Sequence, residues 1–312
     1  MLKKNLNKLA LLLGVVLFAS CSEDDSIDKS DNSAGEETSV YITDSPVDQA
    51  NVKAVFITVS EVKLNGKAIE GFQKSTIEIS SLTKGNTEML GKLNLDAGTT
   101  SSIELVLADS DDNNNAPGNY LVTKGGTKQE LSGATQIQLN DQVEIIEGTK
   151  NDIVLDFDLR KSIKQEGDQY TFVSGGKLQN SLRAVNTSNA GILKGNVENT
   201  SDANAESVIA YAYKKGEFND SEKEGDQGVR FNNAVSSSVV SESNGDFEIH
   251  FLEEGDYEMY FASYSDDDQD GKLEFSGLVN AEAIGGLDLN GVSVEANTTV
   301  NLEITFKGIL DL

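Results

Sequence analysis

Asp266, Asp268 and Asp270 occupy alternate places in "DDDQDGKLEF", the stretch from Asp266 to Phe275, and Gly271 follows in the sixth place. Oxygens at the first, third and fifth positions of a tight turn converge on one side, and a glycine at the sixth permits the sharp bend. The backbone carbonyl of Lys272 falls at the seventh position and the carboxylate of Glu274 at the ninth, with Leu273 between them as a core anchor. Such an oxygen set suits calcium, whereas magnesium demands a stricter octahedron. In a helix–loop–helix calcium loop the twelfth position is a bidentate glutamate; here it is Gly277, and the flanks alternate like strands. The expected site is therefore an inter-strand Ca2+ loop of Asp266, Asp268, Asp270, Lys272 and Glu274. Asp267 or Glu282 would supply a final ligand, and the affinity would lie in the roughly millimolar range of extracellular modules. The plain alternative is a solvated hairpin tip in a chain where 52 of 312 residues are acidic.

Other chemistry has little to work with. The chain holds one His, one Cys and no Trp, so a multi-histidine metal site is excluded and any Ser–His or Cys–His nucleophile would need His250. In "DFEIHFLEEG", Phe247, Ile249 and Phe251 alternate with Glu248 and His250, which puts the imidazole on the polar face of a strand. Asp156 and Asp158 alternate with Leu155 and Phe157, so they too read as solvent-facing, although paired carboxylates could serve glycoside hydrolysis. The loop "DSDDNNNAPG", Asp109 to Gly118, has oxygen donors but no glycine at a ligand spacing, and reads as a loop tip. Asp44 in "TDSP" suits a cap of its own turn. No catalytic residue is assigned.

The elements that must carry these residues are strands. Val55, Ile57 and Val59 share one parity and Val62 and Leu64 the other, with a switch at Ser60-Glu61 that predicts a β-bulge. Asn65-Gly66 and Asn244-Gly245 predict hairpin turns. Alternating runs recur at Ile103–Leu107, Ile137–Leu139, Ile153–Leu159, Val208–Tyr213, Phe247–Phe251, Tyr257–Tyr264 and Val300–Phe306. A short helix is expected from Leu159 until Gly167 ends it, and a polar seam over Arg183–Gly191 separates two segments. The fold class expected is all-β: two β-sandwich domains, 40–186 and 190–312, behind a signal peptide and an acidic tether.

The first twenty-one residues, "MLKKNLNKLALLLGVVLFASC", fix the compartment. Lys3, Lys4 and Lys8 precede an apolar run from Leu9 to Ala19, too short to span a bilayer stably. Residues 1–20 read as a signal peptide, and "FASC" resembles a bacterial lipobox, with Phe18 where leucine is commonest. That resemblance implies cleavage before Cys21 and a covalent lipid, such as palmitate, on its thiol. Residues 21–39 then form the lipidated Cys and a disordered acidic tether. Ser22-Glu23-Asp24-Asp25 resembles an outer-face sorting signal of Gram-negative lipoproteins, and Asp25-Ser26-Ile27 an O-glycosylation site. The expected location is the outer membrane, lipid-anchored, at the cell surface, with the periplasmic face as the alternative. A formal charge of −27 excludes nucleic acid and anionic lipid as partners.

Three spaced stretches, "VYITDSPVDQANVKAVFITVSEVKL" (41–64), "LVLADSDDNNNAPGNYLV" (105–122) and "IVLDFDLRKSI" (153–163), resemble the DUF4382 type of bacterial lipoprotein domain over about 38–186. The resemblance implies an all-β fold and a location, and no activity. "GILKGNV" (191–197) and "NGDFEIHFLEEGDYEMYFASY" (244–264) are similar to transthyretin-like or carboxypeptidase-regulatory-like sandwiches, which usually serve as stalks or adaptors. The function expected is a non-enzymatic surface lipoprotein for adhesion or assembly, with an extracellular protein or glycan as partner. The alternative is an accessory subunit of an uptake system capturing a glycan or small molecule. For that role Tyr211, Tyr213, Tyr260 and Tyr264 would have to replace the missing Trp as stacking platforms, though strand-face and core positions suit them better.

Overall fold

The computed structural model describes residues 35–44, 51–100, 102–133, 136–139, 142–167, 169–225, 229–268 and 273–310. Residues 34–312 pack as one compact unit. Cys21, the signal peptide and the tether lie outside the described residues.

In the first module two sheets face each other. One runs Leu182–Asn186, Asn151–Phe157, Glu36–Thr43, Glu88–Leu95, and its central pair, Asn151–Phe157 and Glu36–Thr43, is parallel. The other runs Gln136–Leu139, Ile103–Leu107, Val52–Leu64, Tyr120–Thr123, Lys128–Glu130, and the long Val52–Leu64 strand also pairs with Lys67–Ala68 and Ser75–Glu78. Val40, Ile42, Ile153 and Leu155 from the first sheet meet Val55, Ile57, Val62 and Leu105 from the second in one core. The parity switch at Ser60 is a bulge: the register of Val52–Leu64 against Ile103–Leu107 shifts between Val59 and Glu61. This keeps Val59 and Val62 both inside. Asn65 (φ 50) and Gly66 (φ 74) make the left-handed turn that follows.

The second module is a single curled sheet. Its order is Ser236–Val239, Ser207–Lys214, Gly255–Ser265, Glu274–Ala283, Thr299–Ile309, Ala190–Val197, Asp246–Glu253, with Val292–Val294 added on Gly255–Ser265. The two ends come together where the Glu248 N–H donates to Ser238 Oγ (3.2 Å), so the sheet wraps around Leu193, Phe247, Phe261, Leu302 and Phe306. Strand Ser207–Lys214 is buried on both faces: Val208, Ala210 and Ala212 point to that core, and Ile209, Tyr211 and Tyr213 to a second one. Phe218 and Phe231 cover the second core, and Val229 reaches the core of the first module.

Two expectations are corrected. The helix from Leu159 is one turn, Leu159–Ser162; β-branched Ile163 then starts the strand Ile163–Glu166, which pairs with Gln169–Phe172. The polar seam carries strand Leu182–Asn186, a 3-10 turn at Thr187–Asn189 and strand Ala190–Val197 in direct succession. Its polar residues are used locally: Asn186 caps the turn through the Ser188 N–H and donates to Asn151 Oδ1.

Candidate functional site

Strands Gly255–Ser265 and Glu274–Ala283 pair antiparallel with Ser265 opposite Glu274, so the acidic stretch is the loop of a hairpin. This geometry brings Asp266, Asp268 and Glu274 together, with one carboxylate oxygen from each lying within 4.8 Å of the others. Asp268 and Glu274 face solvent and Asp266 is half-buried. Asp270 and Lys272 fall outside the described residues. Asp267 is exposed beside the cluster. Glu282 is not a donor to it: eight residues further along an extended strand is about 26 Å away, and its carboxylate lies 3.8 Å from Lys307.

A second group of functional side chains lies where the two modules meet, and there the sequence reading is overturned. Asp156 and Asp158 are buried, not solvent-facing. Asp156, next to last in strand Asn151–Phe157, lies opposite Arg183 in the ladder, and Arg183 Nη2 donates to its Oδ2 at 2.5 Å. Asp158 leaves the strand to cap the single helical turn, accepting from the Lys161 N–H, while its Oδ2 takes Arg160 Nη2 at 3.0 Å and lies 3.6 Å from Lys161 Nζ. Asp44 does not serve only its own turn. Its Oδ1 accepts the Leu159 N–H from across the module. The cations then bridge outward. Arg160 Nη1 donates to Arg230 O (2.5 Å), Lys161 Nζ to Ala234 O (2.6 Å) and Arg183 Nη1 to Phe251 O (2.7 Å), all in the second module. Arg160 also sits over the Tyr211 ring, 5.2 Å from its centroid. Burial lowers the Lys161 ammonium to about 8, against the pull of Asp158.

His250 completes the junction. The register of Ala190–Val197 against Asp246–Glu253 shifts between Gly191 and Leu193, leaving His250 and Phe251 as a bulge. Phe251 adopts φ 57, a left-handed value that bulky residues avoid, and Leu252 takes the inward position that alternation had assigned to Phe251. The bulge turns the imidazole toward the first module, where it covers Gly85: a Cβ there would sit 2.4 Å from Nδ1. His250 Nε2 bonds Glu248 Oε2 at 2.8 Å, and this contact, ahead of the Lys194 ammonium, lowers the Glu248 carboxyl. The uneven spacing Ile249–Leu252 was the signal for the bulge. Two cavities flank the Asp156–Arg183 pair. A cleft of about 320 Å³ is walled by Lys161, Arg183 and Asn180, and one of about 140 Å³ by Asp44, Ser237 and His250.

The remaining candidates are structural. In the 109–118 loop Asp111 accepts the backbone N–H groups of Asn113 and Asn115, and those bonds, Asn115 first, lower its carboxyl. Tyr211, Tyr213 and Tyr264 are buried in the second module, and Phe218 stacks on Tyr260 at 3.8 Å. These four rings offer no open stacking face. Among the described residues no helix is long and apolar enough to cross a membrane.

The fold and these sites define an all-β protein of two sheet modules joined by ion-paired cations of the first that donate to backbone carbonyls of the second. Residues 37–174, within the first module, match the family model "Domain of unknown function (DUF4382)". No curated protein matches the chain. Among solved structures it is similar to the TIE protein of Bacillus anthracis at 12% identity, over 87% of this chain and 34% of that one, with a TM-score of 0.20. A variant of BcpA, the major pilin subunit of Bacillus cereus, matches at 11% over 86% and 69% with a TM-score of 0.21. GBS52, the minor pilin of Streptococcus agalactiae, matches at 12% over 89% and 98% with a TM-score of 0.20. The chain thus spans about a third of the TIE chain, and at such scores the likenesses carry no argument.

Proposed function

We propose that the chain is a non-enzymatic lipoprotein of the outer membrane, held at the cell surface by a lipid on Cys21. Its β modules bind or assemble with extracellular partners, and calcium stiffens its acidic hairpin. The observation that carries this reading is how the junction carboxylates are used. Asp156 and Asp158 are each buried against a guanidinium, and Arg160 and Arg183 in turn donate to backbone carbonyls of the second module, a structural use of the two acids. Two modules bridged in this way suit a stiff presenting arm. The basic and apolar head of the sequence, ending in Phe18-Ala19-Ser20-Cys21, supports export and lipidation.

In the hairpin, Asp266, Asp268 and Glu274 would hold the ion, with Asp270 and the Lys272 carbonyl as the sequence partners of the set. Calcium bound only by the folded hairpin would stabilise it by mass action. Labelled palmitate should enter the wild-type chain and not Cys21→Ser. Protease added to intact cells should digest the modules. A chain that is unlabelled, or protected until the outer membrane is opened, would overturn the anchor or the surface display respectively. The ligand-capture alternative keeps one supporting observation, the cleft at the junction.

A further inference from the structure

One row of side chains crosses four strands on the outer face of the sheet built on Val52–Leu64. Glu78 pairs with Phe56, Phe56 with Tyr120 and Tyr120 with Glu130, so the four stand side by side. Their chain neighbours Val55, Ile57 and Leu121 point the other way, into the core. Phe56 and Tyr120 are half-buried, whereas Glu78, Glu130 and Lys128 are exposed. The two rings stack, with centroids 4.7 Å apart and planes 15° from parallel. From the flanking strand Lys128 holds its Nζ 3.6 Å from the Tyr120 centroid. The 109–118 loop borders the row: the Asp112 N–H donates to Thr76 Oγ1 (3.0 Å), and Thr58 Oγ1 donates to Gly118 O (2.7 Å). Burial first, then the charges of Asp111, Asp112 and Glu78, push the Tyr120 hydroxyl up. Acids therefore lie about the rings on both sides, Glu78 and Glu130 in the row and Asp111 and Asp112 in the loop. Among the described residues the ammonium groups set against them are Lys128, on the ring, and Lys74, bound to Ser110 and Asn114 of the loop.

An aromatic face ringed by carboxylates attracts cations, and Lys128 already uses it so. Its side chain is exposed, which makes it an occupant that water readily competes for. A guanidinium is flat and less strongly hydrated than an ammonium, so it stacks better on the same ring. Its forked donors also suit the carboxylates beside it. We propose that this row docks an arginine side chain of an extracellular partner protein, which displaces Lys128 from Tyr120 and lies between the ring and the flanking acids. The inference rests on the reading of the chain as a binding module, and it gives the partner a chemistry: basic, and recognised through arginine. A formal charge of −27 favours encounter with such a partner.

Calorimetric titration of the full chain in detergent, with EDTA and about 0.15 M salt, tests this. The probe is the peptide acetyl-Gly-Arg-Gly-Arg-Gly-amide, and its citrulline analogue keeps the shape without the charge. The arginine peptide should bind about tenfold more tightly than the citrulline one. Tyr120→Leu should lose about fivefold in affinity for it, and Lys128→Ala, which frees the ring, should gain about fivefold. Lys124→Ala makes the same charge change in the turn of that hairpin and should stay within about twofold. Lys128 and Lys124 are both exposed, so these two variants keep the fold whatever Tyr120→Leu does to it. Equal binding of the two peptides, a Lys128→Ala response no larger than that of Lys124→Ala, or undiminished binding by a folded Tyr120→Leu would overturn the proposal. None of these outcomes touches the anchor or the surface display, which the palmitate and protease tests judge separately.

Discussion

The acidic hairpin and the module junction both gather carboxylates, and they use them in opposite ways. At the hairpin one carboxylate oxygen from each of three acids lies within 4.8 Å of the others, and two of the acids face water. At the junction each acid is spent on a guanidinium, an ammonium or a backbone N–H, and all three acids are buried. Repulsion among the hairpin acids would be relieved by an added cation, the role proposed for that cluster. Asp156 and Asp158 hold Arg160, Lys161 and Arg183 in place, and those cations join the modules. In the proposed account the same residue type is a ligand in one place and a fastener in the other, and the neighbours decide which.

The contrast can be broken most forcefully at Asp158. Asp158→Ala leaves Arg160 and Lys161 buried without their acid and should cost about 3–5 kcal/mol in urea unfolding. The matching hairpin change, Asp268→Asn, should stay within about 0.5 kcal/mol without calcium. Equal effects would erase the distinction between the two sites. Lys161 sharpens it through pH. Its folded value, about 8, lies below the ordinary 10.5, so the unfolded chain keeps the proton over that interval and the folded chain does not. Stability should therefore rise from pH 8 to about 10.5, by up to a few kcal/mol, and Lys161→Met should flatten that rise while keeping the fold. A smaller loss, about 1–3 kcal/mol, is expected for Gly85→Ala: the residue sits at φ +79 and its new methyl would meet the His250 ring. Thermal melting with and without a His250→Ala background separates the two causes. Relief in the double variant identifies the ring; no relief leaves backbone strain alone.

The hairpin was legible because its information is local. Asp266, Asp268 and Glu274 lie within nine residues, and a turn between two alternating strands brings them together whatever the rest does. The bulge at Ser60 and the Asn65-Gly66 turn were readable for the same reason. The junction was not. Alternation tells which residues share a face, and it placed Asp156 and Asp158 outward from the first core, which is so. It carries no word of what covers that outer face, and here the second module does, through backbone carbonyls of Arg230, Ala234 and Phe251. Backbone acceptors leave no residue-type signature. His250 was misplaced by a bulge whose cue, Leu252 following Ile249 by three, lay inside a run that alternated well up to that point. The cation-rich "LRKS" turn read as a helix start, and its Arg160 and Lys161 proved to be the fasteners.

The central claim is that the hairpin, and not the junction, is where the carboxylates of this chain take up an ion. Calcium titration of residues 34–312, with Asp266→Asn/Asp268→Asn and Asp156→Asn in parallel, tests it most directly. The account predicts one site with a Kd of roughly 0.1–1 mM in the wild type. In 10 mM calcium the hairpin should then gain about 1–3 kcal/mol. Binding should vanish in the hairpin double variant and persist in Asp156→Asn wherever that variant folds. A wild-type protein that takes up no calcium, or a hairpin variant that binds it as before, would contradict the account.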